Sequence, residues 1–139
     1  MDRETSERQP AAKGPLVYRQ SIWTRLTHWA WAICLFFLLL SGLQIFNAHP
    51  ALYIGEESGF EYDNAVLRIG AVNTPEGPRG RTTLLGHQFD TTGVLGMSGS
   101  AEQPQFLAFP GAVTIPSFRD LATGRVVHFF FGWLFVGVM

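Results

Sequence analysis

Residues 29–46 read WAWAICLFFLLLSGLQIF, eighteen residues without a charge and with only Ser41, Gly42 and Gln44 as small or polar interruptions. As a helix they would cover about 27 Å, close to the hydrocarbon thickness of a bilayer once a turn at either end is counted. Trp23, Trp29 and Trp31 then fall at one membrane surface, with Phe46 and Tyr53 at the other, as amphipathic rings prefer. A cleaved signal peptide is the rival reading. It fails because the leader is long and partly acidic, the apolar core is too long, and no A-x-A site follows.

Composition agrees with a membrane. The chain has 139 residues, room for one modest domain, of which 47% are hydrophobic and only 15% charged, with twelve Phe and four Trp. A net charge of −1 sets aside nucleic-acid binding as the main business of the chain. Cys34, the single cysteine, lies within the apolar run, so there is no disulfide, no CxxC pair and no CxxCH for covalent haem. Any haem would be held non-covalently.

A second apolar segment, GRVVHFFFGWLFVGVM, closes the sequence at residues 124–139. From Val126 to Met139 it would span about 21 Å as helix and stops without a polar flank. It reads as a second span cut short in an N-terminal piece of a longer protein, with a buried helix or re-entrant segment as the alternative. Arg3, Arg8, Lys13, Arg19 and Arg25 precede the first span and place residues 1–20 in the cytoplasm as a tail. A transmembrane helix over 21–48 then runs outward, 49–120 is extracytoplasmic, and a truncated helix over 121–139 returns. From Pro50 to Asp120, Arg68, Arg79, Arg81 and Arg119 stand against Glu56, Glu57, Glu61, Asp63, Glu76, Asp90, Glu102 and Asp120, so the outer segment is net acidic.

That outer segment is too long for a simple connection. "AVLRIGAV" (65–72) and "TTLLGHQFDTTGVLG" (82–96) carry β-branched and apolar residues punctuated by glycine, and "NTPEGPRG" (73–80) is turn-rich, which predicts one or two short hairpins. A flexible linker and a docking surface for an extracytoplasmic partner both remain open. No metal-ligand cluster stands out, and His87 reads as a surface loop residue.

Both spans open alike: Arg25-Leu-Thr-His28-Trp29 and Arg125-Val-Val-His128-Phe129. Residues three apart share a helical face, so each arginine lies one turn nearer its own surface than its histidine. Antiparallel spans put His28 towards the cytoplasmic side and His128 towards the outer side, which implies two sites. Haem b suits such a pattern, because its iron takes an imidazole in the apolar interior and its propionates emerge where arginine can pair with them. The competing reading is of arginines that snorkel to headgroups and of interfacial histidines. Gly124, His128 and Gly132 follow one another at i+4, and Gly42 lies about 21 Å along the first helix from His28, near the depth expected for His128. A macrocycle could approach the backbone at these glycines, and helix packing against small residues explains them equally.

The stretches YRQSIWTRLTHWAWAICLFFLLLSGLQIFNAHPALYIG (18–55) and FPGAVTIPSFRDLATGRVVHFFFGWLF (109–135) resemble the bacterial di-haem cytochrome b subunits of nickel-hydrogenase and thiosulfate-reductase type. The resemblance implies an all-α membrane protein, here the first two helices of a four-helix transmembrane haem bundle with a long extracytoplasmic loop. It implies two haem b groups in the whole protein, with His28 and His128 matching the ligands of the first and second helices. It also implies electron transfer across the bacterial inner membrane, between a quinone pool and an extracytoplasmic redox subunit of molybdopterin or hydrogenase type. The family's third and fourth helices, and with them both opposite axial ligands, have no counterpart in this sequence. His49 reads as a helix terminator before Pro50 rather than as a ligand or quinone partner, Ser41 as a back-bonded hydroxyl and Gln44 as an interfacial amide. The reading is therefore an electron-transfer subunit rather than a stand-alone enzyme. A haem-free membrane anchor for an extracytoplasmic partner is the alternative, and a proton pathway is weaker because neither span holds an acidic residue.

Overall fold

A computed structural model describes residue 14 and residues 19–56, 63–100 and 103–139. Arg3, Arg8, Lys13, Glu57, Glu61 and Glu102, used above to orient the chain, lie outside the described residues.

Helix α1 spans Ile22–Phe46, where leucine and aromatic side chains run on without a proline. Ser21 caps it, its hydroxyl accepting from the Thr24 amide at 3.2 Å. With 25 residues and a mean hydropathy of 2.0 over its most apolar stretch, α1 is long and apolar enough to cross a membrane. Helix α2 spans Leu121–Gly137; Asp120 caps it by accepting from the Thr123 amide at 3.1 Å. The helices pack antiparallel. Trp31 meets Phe135 with ring centroids 5.8 Å apart, Phe37 stacks on Phe131 at 4.2 Å, and Ser41 reaches His128 at 3.0 Å. The outward faces stay bare: Leu39, Phe36, Val126, Phe129 and Trp133 are all exposed.

Between the helices lies a sheet, and it overturns the expectation of an all-α protein. Strands β1 (Ala51–Tyr53), β2 (Ala65–Thr74), β3 (Gly77–Leu84) and β4 (His87–Asp90) form a four-stranded antiparallel meander in the order β1-β2-β3-β4. A separate pair, β5 (Ser98–Ser100) and β6 (Gln103–Gln105), follows. The segment expected as a loop with one or two short hairpins is thus a sheet wider than any hairpin, and the chain is not the opening of an all-helical bundle. The physical reason lies in the turns. Pro75 and Glu76 close β2 onto β3, and Leu85 and Gly86, with φ of 50° and 82°, form a turn with both central residues left-handed, the type whose twist matches a hairpin. Such tight turns fix the register of the two ladders they close.

Residues 91–97 strap one face of this sheet. The strap needs glycine at two places: a side chain on Gly96 would overlap the Gly70 carbonyl, and one on Gly80 the Leu95 carbonyl. Thr91 donates its amide to the Gly80 carbonyl at 3.0 Å, and Ile69, Met97, Leu107 and Ala108 are buried. The sheet joins the end of α1 directly, with the Ile69 amide donating to the Pro50 carbonyl at 2.9 Å.

Candidate functional site

Four residues on α2 were singled out by spacing, and the helix pairing decides what they face. Gly124, His128 and Gly132 all turn towards α1. A Cβ on Gly124 would come 3.0 Å from Gln44 Cγ, and one on Gly132 would come 3.9 Å from Leu38 Cδ2. From the other side, a Cβ on Gly42 would lie 3.5 Å from His128 Cε1. Gly42 and His128 therefore stand at one depth, and the glycines let the two backbones approach, which is the packing role of small residues between helices. Arg125, one turn from His128, is exposed.

His128 is half-buried in the seam, and its Nδ1 lies 3.0 Å from Ser41 Oγ. The Ser41 hydroxyl also bonds the Phe37 carbonyl at 2.6 Å, the tighter contact, and so commits its one proton there. It is left as an acceptor, so His128 donates through Nδ1–H. A neutral ring so tied carries its lone pair on Nε2. Ser41 is the back-bonded hydroxyl expected from sequence, with a second task.

His28 sits in a different environment. It is exposed on α1, edge-on to Trp29 with ring centroids 6.1 Å apart, and Arg25 beside it is exposed too. Ser41, which marks the level of His128, stands thirteen residues further along α1, about 20 Å away along the axis. The two histidines are not brought together. No carboxylate among the described residues pairs with Arg25 or Arg125. Nor do the described residues hold a cluster of three or more histidine, cysteine or carboxylate groups of the kind that binds a bare metal ion.

Two polar residues matter more than the sequence reading allowed, and Asn47 was not singled out there at all. Gln44, expected as an interfacial amide, is 2% exposed and donates from Nε2 to the Phe118 carbonyl at 2.7 Å. Asn47 donates to Gln44 Oε1 at 3.2 Å and accepts the Phe109 amide at 2.8 Å. The signal was present: Ser41, Gln44 and Asn47 recur at i+3 at the end of a charge-free apolar run, and such a stripe in a membrane segment faces protein. His49 follows the end of α1, exposed, its Nε2 3.0 Å from the Tyr53 hydroxyl with the two rings stacked. His87 opens β4 and is exposed.

Comparison with family models, with curated proteins and with solved structures found no match for this chain.

Proposed function

We propose that the chain belongs to a membrane cytochrome b subunit that passes electrons across the bacterial inner membrane, between a quinone pool and an extracytoplasmic redox partner of molybdopterin or hydrogenase type. The observation that carries this reading is His128: a half-buried imidazole whose Nδ1–H is held by Ser41, leaving Nε2 to ligate. Metal-bound histidines are held through their other nitrogen in this way. The resemblance of residues 18–55 and 109–135 to di-haem cytochrome b subunits supports the same assignment.

His128 and His28 would each hold one haem b, which supplies one-electron exchange, and Arg125 and Arg25 would meet the propionates. The imidazole chemistry fits. The glycines of α2 fit only in part, since α1 occupies that side of the helix and a haem would meet His128 from another. The chain's own contribution is to fix the ring through Ser41 and to hold the two histidines about 20 Å apart along α1. Electrons would then have two stations across the apolar layer.

A haem-free anchor is favoured by a different observation: the sheet is fixed to the end of α1 through Ile69 and Pro50, as a module presented to a partner would be. One measurement separates the two. Membranes carrying the protein as its gene encodes it, grown with haem, should give a b-type reduced-minus-oxidised spectrum that weakens in both His28→Ala and His128→Ala. No haem absorbance, and no change on double replacement, would establish the anchor.

A further inference from the structure

Between β6 and α2 the chain runs QFLAFPGAVTIPSF, residues 105–118, without a single charge. Its contacts with α1 trace a descent and a return. Phe109 donates its amide to Asn47 Oδ1 at the end of α1, and its ring meets Phe46 at 5.8 Å. Ile115 donates its amide to the Leu40 carbonyl at 3.2 Å, seven residues, or about 10 Å, further down the helix. Phe118 comes back up, its carbonyl taken by Gln44, and Asp120 opens α2 one turn above the level where Gly124 meets Gln44.

We infer that residues 109–118 form a re-entrant dip into the outer leaflet, seated on α1 and facing lipid acyl chains with Val113 and Phe118. Irregular backbone survives at membrane depth only where its polar groups are satisfied by protein; here the amides of Phe109, Val113, Thr114 and Ile115 have protein partners, whereas the buried Thr114 hydroxyl has none among the described residues. Pro110 and Pro116 have no amide proton to satisfy. Val113 donates to the Pro110 carbonyl at 3.0 Å, and Asn47, Leu40 and Gln44 take the other groups named above. The limbs touch at Gly111, where a side chain would overlap the Ser117 carbonyl. Val113 and Phe118 are left 39% and 62% exposed and apolar, beside the end of α1 where Leu39 is exposed and residues 40–47 are half-buried or buried. Charges resume at Arg119 and Asp120, where the chain regains the level of Asn47. Lipid is the occupant that matches a charge-free surface continuous with a span. The inference rests on α1 crossing the membrane, and the test keeps the two apart.

Cysteines at Val113, Leu39 and Gln88 would be placed singly in the Cys34→Ala full chain and labelled with an environment-sensitive fluorophore. The proteins would be reconstituted in phosphatidylcholine vesicles with or without bromine at mid-chain, and iodide added on both sides. Labels at 113 and 39 should be quenched by brominated lipid and shielded from iodide, with the reverse at 88. Adding Gln44→Met, which unlatches Phe118, should raise iodide quenching at 113 several-fold and leave 39 unchanged. If 39 responds to brominated lipid while 113 behaves like 88, the dip is refuted and the span stands. If 39 also ignores brominated lipid, the membrane span itself falls and the dip with it.

Discussion

Gln44→Met tests how the helix pair is held at the end where α1 finishes and α2 begins. Methionine keeps the unbranched stem that packs on Gly124 and removes only the amide. Two hydrogen bonds go, to the Phe118 carbonyl at 2.7 Å and from Asn47 Nδ2 at 3.2 Å, and both partners are stranded in a site where Gln44 is 2% exposed. At about 1 kcal/mol net for each bond, and more for a stranded group, docking of residues 109–118 should weaken by about 2–4 kcal/mol. The lower figure alone raises the open population roughly 30-fold. Amide hydrogen exchange in vesicles reads this directly. The Ile115 amide, bonded to Leu40, should exchange at least that much faster, while the β2–β3 ladder keeps its protection. Unchanged protection at Ile115 would show that apolar contact alone seats the segment, and the latch argument would be wrong.

Ser41→Ala should free the His128 ring: nitrogen NMR of the haem-free protein should show the Nδ1–H form in the parent and a mixture of tautomers in the variant. Identical ring spectra would remove Ser41 from the site. Gly80→Ala drives a methyl into the Leu95 carbonyl and lifts the strap, with loss of the Thr91–Gly80 bond at 3.0 Å, so the sheet should lose about 1–3 kcal/mol in denaturant unfolding. An unshifted midpoint would mean that the strap does not rest there. Asp90 is held below the usual carboxylate range, first by the Thr92 hydroxyl, then by the Thr92 amide and Arg79. Its contribution is therefore present above the unfolded carboxylate value, near about 4, and fades as pH falls through the lower folded value. The stability gap between parent and Asp90→Asn should close over that acid range and stay constant above it; a gap independent of pH would refute the assignment.

The two helices were legible because each is written locally: an unbroken apolar run over 29–46, and a shorter one from Val126. The sheet was not. Its ladders are built on Gly70, Gly80, Thr82 and Thr83, small or polar residues that give weak alternation. Their burial depends on the strap over Gly70 and Gly80, which no local pattern announces. A turn was visible in "NTPEGPRG", and strand-forming residues punctuated by glycine in "TTLLGHQFDTTGVLG", but that successive hairpins share strands is a matter of pairing.

Read as residues, the sequence by itself determined that an apolar helix carries Arg25 and His28 at one end, that the second helix repeats the pattern with Arg125 and His128, and that glycines recur every fourth residue around His128. Tertiary structure alone decided what these face. Antiparallel packing, which the sequence already implied with the histidines at opposite ends, turns the glycine stripe onto α1 and gives His128 a partner in Ser41, 87 residues away in the chain. It also turns Gln44 and Asn47 from polar blemishes into the latch for residues 109–118. The physical reason is the range of the forces involved: helix formation is settled by bonds four residues apart, whereas the partner of a buried polar group is chosen by which distant segments can pack closely enough to reach it.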